Sequence, residues 1–284
     1  MTPSDASDFE QHRSFLAGLA YRMLGSVAEA EDVVQDAYLR WAKADASTVA
    51  HARAYLARMV TRLCLDRMKS ARARRELYVG TWLPEPIVAG PADPMADDLS
   101  MALLVTLERL SPLERAAFLL HDVFDVDYGD IASALGRSKD ACRQLVTRAR
   151  EHVRDDRPRF EATDEHRERI FSAFEAVLTS GDVAGFAQQL ADDAVLYADG
   201  GGKRPAALEP IQGKDNILDF FGVVLASRGL FRREQLERAS INGFPGFVIR
   251  TEEGVQTTAI EVKGDQIVAI YAVRNPDKLR HLAS

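Results

Sequence analysis

The chain is predicted to fold as two all-α domains, the second carrying a helix-turn-helix, followed by an α+β domain shaped as a cone. Three observations predict this. Apolar residues recur at helical spacing through most of the chain as far as Val153. The stripes on either side of Gly136 have the spacing of a helix-turn-helix. Beyond a charged, proline-bearing boundary at Arg154-Asp-Asp-Arg-Pro-Arg159 the period changes. Helices are followed there by alternating runs, separated by the turn signals Asn242-Gly243, Glu253-Gly254 and Gly264-Asp265.

At 284 residues the chain has room for two or three domains that each bury a core. Hydrophobic residues make up 46% of it, which argues against general disorder. The net charge of −7 argues at first sight against a polyanionic partner. Charge is uneven, however: Arg67 to Arg75 packs five basic residues into nine positions, whereas Glu85 to Asp130 holds ten acidic and two basic ones. Local clusters, not the whole-chain sum, govern contact with phosphates. Cys64 and Cys142 are far apart and each falls on the apolar side of a predicted helix, as buried thiols in a reducing compartment would. No signal sequence is read in residues 1–20, and no apolar run is long enough to span a bilayer, so a soluble cytoplasmic protein is expected. No histidine or cysteine spacing suggests a metal site, and no cofactor is expected.

In chain order, Phe9 to Met23 reads as a first helix stopped at Gly25. Ser26, with Glu29 three residues on, opens the next as a capping box. Ala30, Val33, Val34, Ala37, Tyr38 and Trp41 form its buried stripe, leaving Glu31, Asp32, Gln35 and Asp36 outward. After a joining loop, Asp45 to Thr48, a second stripe runs through Tyr55, Leu56, Met59, Val60 and Leu63. Its polar side is cationic, with Arg53, Arg58, Arg62, Arg67, Lys69 and Arg72 as candidate contacts to a polyanion. Asp66 is expected to pair with Arg62 or Arg67. Two adjoining helices of opposite outward charge predict two partners, a protein and a polyanion.

Trp82-Leu-Pro-Glu-Pro86 and Gly90-Pro-Ala-Asp-Pro94 cannot continue a helix, so a linker is expected here. Its tryptophan and leucine suit either a local anchor to the first domain or a docking segment for another part of the chain. Met101 to Leu110 and Leu113 to Phe124 read as helices. Ile131, Ala132 and Leu135 then lead through Gly136 to Cys142, Leu145 and Val146. On the second helix Ser138 is the expected cap, and Lys139, Arg143, Gln144, Thr147 and Arg148 face outward. Its N-terminal half is the part that reaches base edges in a major groove, and arginine and glutamine can contact guanine and adenine bidentately.

In the last domain, His166 to Leu178, Val183 to Leu190 and Ile217 to Leu225 are expected helices, and Ala194 to Tyr197 a strand. The sheet continues through Glu234–Ile241, Phe247–Arg250, Gln256–Val262 and Gln266–Ala272. A pocket between helices and sheet would need a buried carboxylate to work as an acid–base enzyme. The candidate is Asp199, heading Asp199-Gly-Gly-Gly-Lys203. The glycine run lacks the following helix of a phosphate loop and reads as a loop contacting another surface. His166 and His281 are expected at the surface.

The segment Ala28-Glu-Ala-Glu-Asp-Val-Val-Gln-Asp-Ala-Tyr-Leu-Arg-Trp41 resembles the core-polymerase-binding segment of bacterial sigma factors. Tyr55 to Arg75 is similar to the promoter −10 segment, and Leu107 to Arg154, with Leu110-Ser-Pro-Leu-Glu-Arg115, to the −35-reading domain. The resemblance is to the extracytoplasmic-function type with a fused C-terminal SnoaL-like domain of the nuclear-transport-factor-two superfamily. Two positions depart from the pattern: Arg62 stands where an asparagine is usual, and Arg137 where a branched apolar residue is usual.

The resemblance implies sigma region 2 in residues 1–76, a Pro-rich linker in 77–98, sigma region 4 in 99–156 and a SnoaL-like regulatory domain in 160–284. Glu31, Asp32, Gln35 and Asp36 would face a coiled coil of the largest polymerase subunit. The basic helix would engage the −10 element, and Ser138, Lys139, Arg143, Gln144, Thr147 and Arg148 the −35 element. Trp82, Pro84, Asp199, Gly200, Gly201, Gly202, Lys203, Asn275, Pro276 and Asp277 fall in motifs of the fused subgroup and would make interdomain regulatory contacts. The implied function is that of an alternative sigma factor, not an enzyme. Its implied partners are core RNA polymerase, promoter DNA and a small molecule in the C-terminal pocket; a separate anti-sigma protein is left open. The rival readings are a one-component helix-turn-helix repressor and a pocket enzyme with regulatory helices.

Overall fold

The structure, a computed structural model, describes residues 3–44, 49, 51–88, 100–153 and 164–282, apart from the side chains of 3–6, 70–76, 164, 167 and 228. The joining loop Asp45–Thr48, the Gly90–Pro94 motif, the charged boundary at Arg154–Arg159 and the Arg72 side chain lie outside the described residues. The chain divides into two units, residues 1–77 with 103–157, and residues 78–102 with 158–284.

In the first unit, helix α1 (Pro3–Leu24) ends where Gly25 turns to φ 69°. Helix α2 (Val27–Trp41) starts on Ser26, whose hydroxyl accepts the Glu29 N–H at 3.2 Å. That bond satisfies one of the amides a helix start leaves unpaired. The buried stripe of α2 is Ala30, Val33, Val34, Ala37 and Trp41, packed against α1 and α3 (Ala52–Glu76). Tyr55 sits on this core side, its ring 5.8 Å from that of Trp41.

Helix α4 (Met101–Glu108) precedes α5 (Pro112–Phe118), which opens on a reciprocal Ser111–Glu114 capping box. A π-turn, Leu119–Val123, continues α5 and accounts for the longer helix expected there. Arg115 is 1% exposed, yet its guanidinium donates to the Met23 carbonyl at 2.9 Å and to Glu108 at 2.6 Å. It thereby ties the end of α1 to α4 and α5. Helix α6 (Tyr128–Leu135) is capped by Asp127 and ended by Gly136 in the left-handed region, at φ 63° and ψ 43°. Helix α7 (Lys139–Val153) then buries Cys142, Leu145, Val146 and Ala149. Arg137, on the turn, is exposed and donates to the adjacent Gly136 carbonyl, so its departure from the apolar pattern leaves no charge buried.

In the second unit, α8 (Asp164–Ser180), α9 (Val183–Ala187) and α10 (Lys214–Arg228) accompany one six-stranded sheet. The strands are β1 (Leu190–Asp199), β2 (Ile211–Gln212), β3 (Leu236–Ile241), β4 (Phe244–Thr251), β5 (Gly254–Lys263) and β6 (Gln266–Val273). Their spatial order is β2-β1-β6-β5-β4-β3, with β1 and β6 parallel and the other pairs antiparallel. Helix α9 is shorter, and β1 longer, than expected. Leu190 pairs with Ile267, so the chain has joined the sheet where periodicity continued the helix, and a register shift before Val195 hides the alternation. Phe174, Phe186, Phe221 and Phe247 form the aromatic centre of the core, with Phe174 stacked on Phe247 at 5.6 Å. Alternation along β1 sends Leu196 and Ala198 toward the interior cavity and Tyr197 and Asp199 to the opposite face. Tyr197 stacks there on Tyr271 of β6 at 5.3 Å.

Candidate functional site

On α2, Glu31, Asp32 and Gln35 are exposed and Asp36 is half-buried. The two helices do not simply present opposite charges outward, because Arg67 of α3 reaches back to α2. Its guanidinium lies 2.9 Å from Asp36 and 3.3 Å from Asp32. Burial works against the charge on Arg67, and the two carboxylates outweigh it and hold the guanidinium more firmly protonated than usual.

The other described candidates on α3 also have protein partners. Arg53 lies over the Phe15 ring at 4.5 Å and Arg58 over Tyr55 at 5.1 Å. Both guanidinium groups are thus held against aromatic faces. Arg62, exposed, donates to the Ser133 carbonyl at 2.7 Å and the Ala134 carbonyl at 3.1 Å. These are among the last carbonyls of α6, where a helix carries partial negative charge. Asp66 pairs with Lys69 at 2.8 Å rather than with either arginine, one turn along the same face. Cys64 is buried, and burial pushes its thiol well up, so it is a packing residue.

On α7 the candidates share one solvent face. Ser138 caps the helix by accepting the Ala141 N–H at 3.2 Å. Lys139, Arg143, Gln144, Thr147 and Arg148 are all exposed. Arg143 is held by Asp140 at 2.6 Å and lies over the Tyr128 ring at 5.3 Å. Arg148 approaches Glu114 at 3.4 Å, and Arg150 is gripped through two bonds by Asp122. The geometry is that of an exposed helix whose N-terminal half offers both signs of hydrogen-bonding group to a groove.

In the second unit the linker residues Tyr78 to Val88 lie along the sheet domain. Asp199 is fully buried and is the centre of the contact. Its carboxylate accepts from the Tyr78 hydroxyl at 2.5 Å, the Leu83 N–H at 2.9 Å and the Lys278 ammonium at 2.7 Å. Its backbone carbonyl accepts the N–H groups of Arg274 and Asn275. Lys278 also donates to the Leu83 carbonyl and stands 4.0 Å from the centre of the Trp82 ring. Asn275 donates to the Tyr78 hydroxyl at 2.8 Å. Burial, together with the Asp199 carboxylate, raises the Tyr78 hydroxyl far above its ordinary value, so it remains a donor.

The glycine loop closes on the same place. Gly201 adopts φ 59°, and a Cβ there would lie 2.2 Å from the Asn275 amide; at Gly202 (φ 69°) it would meet Val79 at 3.1 Å. Lys203 pairs with Asp277, beside Pro276. Pro84 is buried. Farther along, Ile87 and Asn242 exchange two 2.9 Å bonds, and Val88 bridges Ile241. The linker is therefore a docking segment for the sheet domain.

One expectation is corrected. Asp199 does not line the interior cavity, because strand alternation turns it to the other face, where Lys278 and the linker enclose it. It is not placed to act as a pocket acid or base. His281 is exposed, as expected, with Nε2 2.9 Å from the Pro86 carbonyl. Lys278, Tyr78 and Asn242 are contacts that sequence reasoning missed; Asn242 stood only as part of a turn signal, and the partner of Lys278 lies 79 positions away. Among the described residues, no group of histidine, cysteine and carboxylate side chains could hold a metal ion, and no helix is long and apolar enough to cross a membrane.

Residues 9–74 match the family model described as Sigma-70 region 2, and residues 100–153 the model described as Sigma-70, region 4. The ECF RNA polymerase sigma factor SigJ of Mycobacterium tuberculosis is 38% identical over 292 aligned residues, spanning 96% of this chain and 93% of its own. The probable ECF RNA polymerase sigma factor SigI of the same species is 35% identical over 179, spanning 61% of this chain and 62% of its own. The crystal structure of the M. tuberculosis extracytoplasmic function sigma factor SigJ superposes with a TM-score of 0.81 at 34% identity, covering 97% of this chain and 98% of that one.

Proposed function

The chain belongs to the extracytoplasmic-function RNA polymerase sigma factors, and on that premise we propose how its surfaces divide the work. It is an alternative sigma factor that binds core RNA polymerase and directs promoter-specific transcription initiation. A one-component repressor would leave the α2–α3 module without a role. In our reading residues 1–76 act as region 2, 99–156 as region 4 and 160–284 as a regulatory domain joined through 77–98, all in the cytoplasm.

Glu31, Asp32, Gln35 and Asp36 are the polymerase-docking face, with Arg67 setting the orientation of the two aspartates. Arg53, Arg58, Arg62 and Lys69 serve the −10 element, joined by Arg72. Arg67, already paired, contributes there only by leaving Asp36. Ser138, Lys139, Arg143, Gln144, Thr147 and Arg148 serve the −35 element. The hydrogen bonds from Arg62 to α6 favour an arrangement in which part of the −10 surface is occupied by the −35 domain itself. DNA binding then requires that Arg62 exchange carbonyl oxygens for phosphate oxygens.

The fused domain regulates by holding the linker. One observation carries this reading: the buried Asp199–Lys278 pair bonds to the linker at Leu83 on both its N–H and its carbonyl. Family membership supports a transcription factor rather than an enzyme, and none of the described cavity-lining residues is a carboxylate, histidine or cysteine. The test is transcription in vitro by core polymerase and the purified full chain from a promoter library. Asp199→Asn with Lys278→Met should change the yield of transcript at equal DNA affinity of the isolated sites. Unchanged transcription by a well-folded double variant would remove the regulatory role.

A further inference from the structure

The second unit encloses a cavity of about 380 Å³ between α8, α10 and the inner face of the sheet. Its wall is largely apolar and aromatic, with Phe174, Phe220, Phe221 and Phe231 contributing rings. Its polar lining side chains are Gln256 and Thr258 of β5, Arg274 just after β6, and Ser227 of α10. None of the lining residues is acidic. The Arg274 guanidinium donates to the Gln256 side-chain oxygen at 2.9 Å and to the Pro205 carbonyl. These two neutral acceptors help to orient a cation that never loses its charge.

An apolar chamber of this size with one oriented cation selects for a particular ligand chemistry. The body must be apolar, because the rings and aliphatic groups of the wall offer no hydrogen bonds. The head must be anionic, because a charge-assisted bond to arginine beside a low-dielectric wall is stronger than one to a neutral group. A second cation would be repelled. We infer that this cavity binds a small amphipathic carboxylic acid, with its apolar body among the phenylalanines and its carboxylate on Arg274.

Occupancy is placed to reach the linker. The Arg274 N–H donates to the Asp199 carbonyl at 2.7 Å, and the next residue, Asn275, donates to both that carbonyl and the Tyr78 hydroxyl. Pro205, the other acceptor of Arg274, closely follows the Gly200–Lys203 loop, whose Gly201 backbone abuts Asn275. A ligand carboxylate that draws Arg274 from Pro205 pulls on both segments that grip the linker. This coupling rests on the regulatory reading above; the binding site itself does not.

The experiment is calorimetric titration of the full chain with decanoate, 1-decanol and decylamine below their aggregation concentrations, with Trp82 emission followed in parallel. Decanoate should bind about tenfold or more tightly than either analogue, a difference of about 1.4 kcal/mol. Arg274→Gln should abolish that preference, and Arg274→Lys should retain most of it. Val224→Trp, which fills the chamber from α10, should remove binding of all three. The emission change on adding decanoate should be absent in Trp82→Phe. Equal affinity for decanoate and decanol, a preference that survives Arg274→Gln, or no binding by a chain that melts cooperatively would overturn the site. Selective binding with silent Trp82 emission would overturn the coupling alone. Transcription that ignores the clamp variants would sink the regulatory reading and leave the site standing.

Discussion

The Lys278 ammonium lies 2.7 Å from the Asp199 carboxylate, with 9% and 0% of the two side chains exposed. Two charges withdrawn from water this far are stable together only when their remaining hydrogen-bonding capacity is met. Tyr78 and Leu83, both from the linker, meet it. The linker therefore completes the burial of this pair.

Removing one partner should expose that dependence. Lys278→Met leaves Asp199 enclosed without its cation and should cost about 3–5 kcal/mol. Adding Asp199→Leu should recover part of the loss, because no buried charge then remains. Urea unfolding of the full chain, read through Trp82 emission, measures both. A single variant as stable as the parent would show that the pair is not enclosed in solution.

The glycine loop gives a gentler perturbation. Gly201→Ala forces a side chain into the left-handed region at φ 59° and against the Asn275 amide at 2.2 Å. The strain should amount to about 1–2 kcal/mol and should fall on the clamp. The expected result is faster proteolytic cleavage within residues 78–88, with helix content unchanged. Cleavage at the parental rate would mean that the loop does not support the linker.

For the polymerase face, charge reversal is cleanest where no internal ion pair is disturbed. Glu31→Lys with Gln35→Lys should weaken binding to core polymerase by at least about tenfold without loss of stability. Asp32→Lys with Asp36→Lys should do the same but also destabilise the helical unit, since two cations then stand where Arg67 had two carboxylates. Pull-down and thermal melting separate the two effects.

On the recognition helix, Arg143→Ala should cost about 1–3 kcal/mol of −35 affinity and relax specificity at one base position. A uniform loss across sequences would assign Arg143 to a phosphate instead. Competition binding with single-base variants of a selected promoter distinguishes these outcomes.

Glu114 links stability to pH. Burial pushes its carboxyl up, but the Ser111 hydroxyl and N–H, aided by Arg148 and His152, outweigh it and hold the group below its ordinary 4.5. A carboxyl depressed in the folded state contributes its full share above the unfolded value and loses it as pH falls through the folded one. Glu114→Gln should therefore lower the melting temperature at pH 7. The gap between variant and parent should narrow below pH 4.5 as the parent's carboxyl is protonated. A gap unchanged down to pH 3 would place the capping charge elsewhere.

Local chemistry was legible along the chain. Ser26, Ser111, Asp127 and Ser138 act within three residues of themselves, Gly136 supplies the left-handed turn, and helical periodicity places Val33 or Leu145 in a core whatever surrounds it. Helix α9 ends earlier than its apolar pattern predicts because a register shift in β1 masks the two-residue period that marks a strand.

The sequence by itself determined the order of most helical and sheet segments, the buried stripe of α2, the position of the turn and the family, because these depend on spacings within a few turns. Only the tertiary structure decided that Arg67 answers Asp36 across 31 residues, that Arg62 bonds to α6, and that Asp199 turns from the cavity to take Lys278 and the linker. Those pairings are long-range and electrostatic: a charge written in the chain carries no mark of which distant group will lie within 3 Å once water has been excluded.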